Sequence, residues 1–480
     1  MIQEKLITPT IKPTYKQDLA YEYLHDNITK FLLFGGGAGG GKSWLGCEWL
    51  LMNCYRYPGT KWFIGRKELT RLMATSYITW TKVCSYHKIP ASDWRLNGKY
   101  NYIEFIRGDA KGSRIDLLDC SDKPSDPNFE RFGSSEYTGG WLEEAGEISF
   151  KCFDILKVRI GRHLNDKYGL TPAKILLTCN PTQNWLYRIF YKPNKAGMLP
   201  KEYAFVQSLY RDNPHNTKEY GEQLQGITDS VTRDRLREGL WEYSADNLNL
   251  ISIDDILDIF VNTVPASDKR YLSADIARFG GDKIIYTKWQ GMNVYDLVVK
   301  EKQSLTVTEA DIKDISLKDS ISYGRIVIDE DGVGGGVVDH LRGVHGFMGG
   351  RSALPDPISQ FRRNYLNLRS QCYFILADKI RNHEIVITAP LTEIDREKLI
   401  NDLQQIKRED TASDAPLQII SKDKMKESLG RSPDYGDSLM MRMYFLLLQK
   451  EDLYPSYNPP NMEVLAKAGI KEPYGGIGWD

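Results

Sequence analysis

Apolar residues in the first half of the chain fall in short runs, each bounded by charged or turn-forming residues. Residues 30–34, 61–66, 114–119, 137–142 and 174–179 are of this kind. Such a run without polar alternation is the pattern of a strand buried on both faces. The stretch from Lys42 to about Tyr55 has the length and spacing of a helix. Buried strands separated by helical segments predict a mainly parallel sheet covered on both sides, an α/β domain. Between 122 and 135, Pro124, Pro127 and Gly133 interrupt any period and predict a loop.

The pattern weakens between 244 and 269. Ser252 is placed to cap a short acidic helix over 254–260, and 265–268 reads as a turn. The expected division is therefore a first domain over 1–250, a linker over 251–267 and a second domain over 268–450. In the second domain, 271–276, 283–289 and 293–299 are closely spaced strands with turns at Gly280-Gly281 and Gly291. A fourth strand, 325–329, follows, so a meander leading into a mixed sheet with helices is expected. Residues 451–480 carry Pro455, Pro459, Pro460 and Pro473, and read as a mobile or partner-docking tail.

Composition narrows the classes. A length of 480 residues suits two or three domains, each able to bury a core. Lys and Arg total 63 against 64 Asp and Glu, which excludes a basic wrapper but leaves room for a locally basic groove. The seven cysteines form no CxxC pair, which argues against a zinc ribbon or disulfide scaffold and for a reducing compartment. No apolar run approaches the roughly 18 residues of a membrane span. The expectation is a soluble intracellular protein with no membrane partner.

Gly36-Gly37-Ala38-Gly39-Gly40-Gly41-Lys42-Ser43 satisfies GxxxxGK[ST] after a strand and before a helix. Its amides and the helix N-terminus suit phosphate oxygens, with Lys42 reaching the β- and γ-phosphates of ATP and Ser43 binding Mg²⁺. The run 140–142 ends in Glu143 and Glu144. Alternation along a strand would send one acid to the metal and the other to the attacking water. Glu143 is assigned to Mg²⁺ and Glu144 to the water. Thr178 and Asn180, at the end of another strand, are placed to sense the γ-phosphate, and Gln17 to meet an adenine edge. Arg66, Arg71, Arg159 and Arg162 are candidates for neutralising phosphate charge.

The second half ends several strands in aspartate. Asp275 lies within an apolar run, where an unpaired charge is not tolerated. Asp329 closes 325–329 ahead of Asp331 and a run of glycines. Ser432 is a plausible N-cap with Pro433 at the first helical position, so Asp434 and Asp437 share one face of a helix's opening turn. Carboxylates from separate element ends are what two Mg²⁺ or Mn²⁺ ions require to cut a phosphodiester, while turns and helix-dipole effects would also explain such aspartates.

In this order the motifs resemble those of tailed-phage large terminase subunits, ATP-driven DNA-packaging motors. The phosphate loop matches the family's Walker A, Trp141 to Glu144 its Walker B and catalytic glutamate, and Thr178-Cys179-Asn180-Pro181 its coupling motif. Tyr210-Arg211-Asp212-Asn213-Pro214 and Gly239-Leu240-Trp241 resemble segments closing the ATPase half. The stretches 329–339 and 432–437 resemble the nuclease half. The resemblance implies an ASCE-type ATPase domain and an RNase H-like endonuclease domain with Asp275, Asp329 and Asp437 as metal ligands, Asp434 beside them. It departs from the common pattern in having Glu143 where aspartate is usual. It also implies double-stranded DNA, a portal protein and a small terminase subunit as partners, a ring on the procapsid, and action in the host cytoplasm. Arg362, Arg363 and Arg369 offer a strip for DNA phosphates or, equally, a solvated helix face. Rival readings are a DNA-dependent ATPase or helicase with a non-cleaving second domain, and an assembly scaffold with a vestigial nucleotide site.

Overall fold

The computed structural model describes residues 13–123, 125–243, 248–276, 283–331, 334–355, 364–409 and 415–448. The chain divides into two compact units, Met1–Asn247 and Leu248–Asp480. Both are α/β, each built on a mixed sheet.

The first unit contains β1 (Phe31–Gly35), β2 (Lys61–Arg66), β3 (Trp94–Asn97), β4 (Tyr102–Phe105), β5 (Arg114–Asp119), β6 (Gly139–Leu142), β7 (Ile175–Cys179) and β8 (Tyr203–Gln207). Their order is β3-β4-β5-β2-β6-β7-β1-β8. Every pairing from β5 to β8 is parallel, and β3 and β4 extend one edge antiparallel. β7 lies between β1 and β6, so the phosphate-loop strand and the acidic strand are one strand apart, as an ASCE-type sheet requires. β1, β6 and β7 are buried at every residue, which is why they read as continuous apolar runs. The helix Lys42–Arg56 packs Leu45, Trp49 and Leu50 into a core shared with Leu32, Trp62, Trp141 and Leu176. Its contact with the sheet depends on Gly46, where a Cβ would stand 2.4 Å from the Trp141 ring. The strands β3, β4 and β8 are not among the expected elements.

The second unit contains β9 (Arg270–Asp275), β10 (Ile284–Gln290), β11 (Asn293–Lys300), β12 (Ile326–Asp329), β13 (His345–Phe347) and β14 (Val386–Ile387), in the order β13-β12-β9-β10-β11-β14. β9, β10 and β11 form the antiparallel meander, while β12 adds parallel to β9 and β13 parallel to β12. This is the expected meander leading into a mixed sheet. The helix Asp434–Met441 lies against it through Ser438, whose hydroxyl is 2.6 Å from that of Thr287.

The span 251–267, expected as a linker, contains the helix Ile253–Asp258, capped by Ser252, with Ile253, Ile256 and Leu257 buried. The Ile387 amide donates to the Ile259 carbonyl at 2.7 Å, so this segment is part of the second unit. The Gly280-Gly281 turn and the tail 451–480 lie outside the described residues. Among the described residues, no helix is long and apolar enough to cross a membrane.

Candidate active sites

In the first unit, β1 runs into the glycine loop and then into the helix that opens at Lys42. Gly39 and Gly41 both adopt φ +77°, which a side chain would resist. At Gly36 a Cβ would fall 2.0 Å from the Ser208 carbonyl oxygen. Lys42 is buried, and its Nζ donates to the carbonyls of Gly36 (3.2 Å) and Gly37 (2.6 Å) and to Asn180 Oδ1 (3.0 Å). Burial lowers its pKa, opposed by the charges of Glu144 and Glu143.

Ser43 Oγ donates to Glu143 Oε1 at 2.8 Å. Glu143 Oε2 accepts from Ser76 Oγ and lies 3.4 Å from Arg66 Nη1. Burial pushes the Glu143 carboxyl up to about 7 against the Ser43 hydrogen bond and the Arg66 charge. Glu144 stands in the left-handed region, at φ +46° and ψ 48°. Its pKa is raised by burial and opposed by Lys42 and Arg66, and its carboxylate accepts from the Asn180 amide. The two acids diverge, but the reason differs from the expected one. β6 ends at Leu142, and the turn at Glu144, not strand alternation, separates them.

The remaining expected residues divide. Asn180 joins the site through Lys42. Thr178 does not: its buried Oγ1 accepts from Trp141 Nε1 at 2.9 Å, so it braces the core instead of facing a γ-phosphate. Gln17 sits beside the loop, with Oε1 taking the Thr14 amide (3.0 Å) and Nε2 donating to the Gly41 carbonyl (3.2 Å). Of the arginines, Arg66 reaches the acids, whereas Arg71 is exposed and pairs with Glu68 and Glu147.

Sequence reasoning missed several supports of the loop. Ser208 Oγ donates to the Gly40 carbonyl (2.8 Å), and Asn216 joins Asn213 in donating to the Gly39 carbonyl (2.9 and 2.8 Å). The Ala38 amide donates to the Leu236 carbonyl at 2.6 Å. Nothing local in those segments announces the contact, although Asn213 falls within a stretch matched by resemblance.

In the second unit, Asp275 and Asp329 end adjacent parallel strands, with Ile328 in register with Ala274. Asp434 and Asp437 stand in the opening turn of the helix laid against those strands. The acids are close enough to act on one another. Burial drives Asp275 well above the carboxylate range; Lys422 opposes this, and Asp329, Asp434 and Asp437 reinforce it. Asp329 is pushed up to about 6, chiefly by burial. Asp437 is held below its ordinary value despite burial, by Lys422 Nζ at 2.7 Å, Arg369 Nε at 3.7 Å and a 2.6 Å hydrogen bond from the Tyr373 hydroxyl. Asp434 Oδ2 accepts from the Lys283 amide at 3.3 Å.

Lys422 was not singled out from sequence, since a lysine opening a polar helix carries no local signal. It pairs with Asp437 and is kept protonated by it and by Asp275 and Asp329. Among the described residues, no three carboxylate, histidine or cysteine groups are arranged to hold one ion as they stand. The donor set nevertheless suits a hard divalent cation: Asp275, Asp329 and Asp437 act on Lys422, Arg369 pairs with Asp437 alone, and Asp434 adds a further acid beside Asp275, an excess of acid in a buried place. Arg362 and Arg363 lie outside the described residues.

Fold and sites together describe an α/β chain of two units, the first with a phosphate loop between a strand and a helix and the second with a cluster of buried carboxylates on a mixed sheet. Residues 30–234 match the family described as phage terminase large subunit. No curated protein matches the chain. Among solved structures, the large terminase from a thermophilic bacteriophage is 12% identical, over 91% of this chain and 98% of that one, with a TM-score of 0.42. The same phage protein in complex with ADP is 13% identical, over 90% and 98%, with a TM-score of 0.40. A mutant nuclease domain of the large terminase subunit gp2 of bacterial virus Sf6 with manganese is 20% identical, over 41% and 99%, with a TM-score of 0.35. These likenesses are too distant to carry residue roles across.

Proposed function

We propose that the chain is a viral DNA-packaging motor subunit that hydrolyses ATP to translocate double-stranded DNA and cleaves concatemers with a two-metal endonuclease. The observation that carries this reading is the gathering of Asp275, Asp329, Asp434 and Asp437 in a chain whose other unit holds a complete phosphate loop.

In the first unit, the glycine loop amides that make no bond within the fold would receive phosphate oxygens, and Lys42 would exchange its carbonyl partners for the β- and γ-phosphates. Ser43 and Glu143 would hold Mg²⁺, and Arg66 steadies Glu143. Glu144 orients or deprotonates the attacking water, fixed by its left-handed turn and by the Asn180 amide. Asn180 is linked to both Lys42 and Glu144, so it is placed to register loss of the γ-phosphate. Gln17 has a second amide hydrogen for an adenine edge.

In the second unit, Asp275, Asp329 and Asp437 would hold Mg²⁺ or Mn²⁺, with Asp434 beside them. Such ions supply charge stabilisation for both the entering and leaving oxygens of an in-line displacement. Lys422 and Arg369 balance Asp437 before ions would bind. Contact through phosphates suits a motor that moves along any sequence. Portal protein, small terminase subunit and further copies in a ring are the partners of this reading, at the procapsid in the host cytoplasm.

Plasmid cleavage in Mn²⁺ tests it. Asp275→Ala is expected to abolish cutting while ATP turnover persists; a variant that still cuts overturns the nuclease site.

A further inference from the structure

The helix Asp434–Met441 begins without a cap of its own. The expected Ser432 cap is not made: the N-cap is Pro433, and no side chain of the local sequence bonds the first turn. First-turn amides have no partner within a helix and need one from elsewhere. They find it in Asp402, on the separate helix Glu393–Gln404. Asp402 Oδ2 accepts from the amides of Tyr435 and Gly436, both at 3.1 Å.

Asp402 is itself fixed. Its side chain is fully buried, with Oδ1 2.6 Å from Arg431 Nη2. Arg431 in turn donates to the carbonyls of Lys398 (2.9 Å) and Ser432 (2.7 Å). The same helix takes the Tyr435 hydroxyl on Asp395 at 2.6 Å. Gly436 allows the approach, since a Cβ there would lie 3.1 Å from Asp402 Cβ.

The consequence falls on Asp434 and Asp437. An N-cap side chain normally takes the N2 and N3 amides, and Asp402 fills that role here from another helix, so no acid of the first turn is needed for it. With Asp402 on two of those amides, Asp437 is turned instead to Tyr373 and Lys422 and Asp434 to the Lys283 amide. We propose that Asp402, clamped by Arg431, is a positioning residue of the nuclease: it caps the acidic helix from another element and aims Asp434 and Asp437 at a divalent cation. This rests on the nuclease reading above and gives Asp402 no metal contact of its own.

The test uses the full chain and follows plasmid cleavage against Mn²⁺ concentration, with ATP turnover as the control on integrity. Asp402→Ala is expected to raise the Mn²⁺ needed for half-maximal cutting by about tenfold, with the rate largely recovered at saturating Mn²⁺. Asp402→Asn keeps an acceptor oxygen for the amides and is expected to shift it less, in the same direction. Should the alanine variant fail to fold, the asparagine variant decides. An unshifted Mn²⁺ requirement overturns the positioning role, even where thermal stability falls. If the wild-type chain does not cut, or Asp275→Ala cuts normally, the nuclease reading fails instead.

Discussion

The two acidic sites of this chain are assembled in opposite ways. In the first unit, a contiguous loop brings the cation with it: Lys42 lies beside Glu143 and Glu144, and its amine is satisfied by the loop's own carbonyls. In the second unit, the acids arrive from two strand ends and a helix start, and the balancing charges, Lys422 and Arg369, come from elsewhere again. The first site is organised by backbone geometry before any ligand arrives. The second is organised by packing around an excess of buried carboxylate. Removing one group should therefore impair chemistry in the first unit, while adding an ion should change stability in the second.

The largest expected effect is in the first unit. Lys42→Ala and Glu144→Gln should each lower ATP turnover by roughly 100-fold or more, the scale of losing one charge-stabilising group. Mn²⁺-dependent cutting by the same proteins should persist. ATP hydrolysis unchanged in both would favour a scaffold with a vestigial nucleotide site.

The next effect concerns pH. Burial pushes the Asp329 carboxyl up to about 6 and that of Glu143 up to about 7 in the folded chain, above the ordinary carboxylate range. The folded state thus holds more protons than the unfolded one between about pH 4 and 7. Stability from these groups is present below pH 4, declines as pH rises through 6 and 7, and is flat above. Thermal unfolding in a chelator should show this decline, and Mn²⁺ should raise the melting temperature more at pH 8 than at pH 5. An equal gain at both would break the contrast between the two sites.

A smaller effect joins sheet and loop. Gly46→Ala pushes a methyl into the Trp141 ring and should cost about 1–3 kcal/mol in denaturant unfolding of the first unit. The KM for ATP should rise, because the same helix carries Lys42 and Ser43. The smallest effect is Asp26→Asn, away from both sites. Asp26 is held at about 2 because its bonds to Lys174 and Thr29 outweigh burial. Its stabilisation is present above about pH 4 and lost as pH falls through 2. The substitution should cost about 0.5–1 kcal/mol at pH 7 and leave both activities unchanged.

The same contrast explains what the sequence made legible. The phosphate loop could be read because its chemistry is contiguous and its strand and helix adjoin it. Asp275 and Asp329 could be read because a charge ending a buried apolar run is conspicuous. Thr178 was misplaced because β7 is buried on both faces, so its pattern does not reveal which side a residue takes. The parting of Glu143 and Glu144 was expected for the wrong reason, since a left-handed turn at a glutamate has no compositional mark. β3 and β4 were missed because short, half-exposed strands lack a clear run. Asp402 and Lys422 belong to polar helices where one more charged residue is ordinary, and only the fold brings them to the acids.

The most direct measurement is calorimetric titration of nucleotide-free full-length chain with Mn²⁺ at pH 8, beside the double variant Asp275→Asn, Asp437→Asn. The wild-type chain is expected to bind Mn²⁺ with heat that the double variant loses. Binding of equal heat and stoichiometry in both proteins would contradict the gathering of these carboxylates around divalent ions.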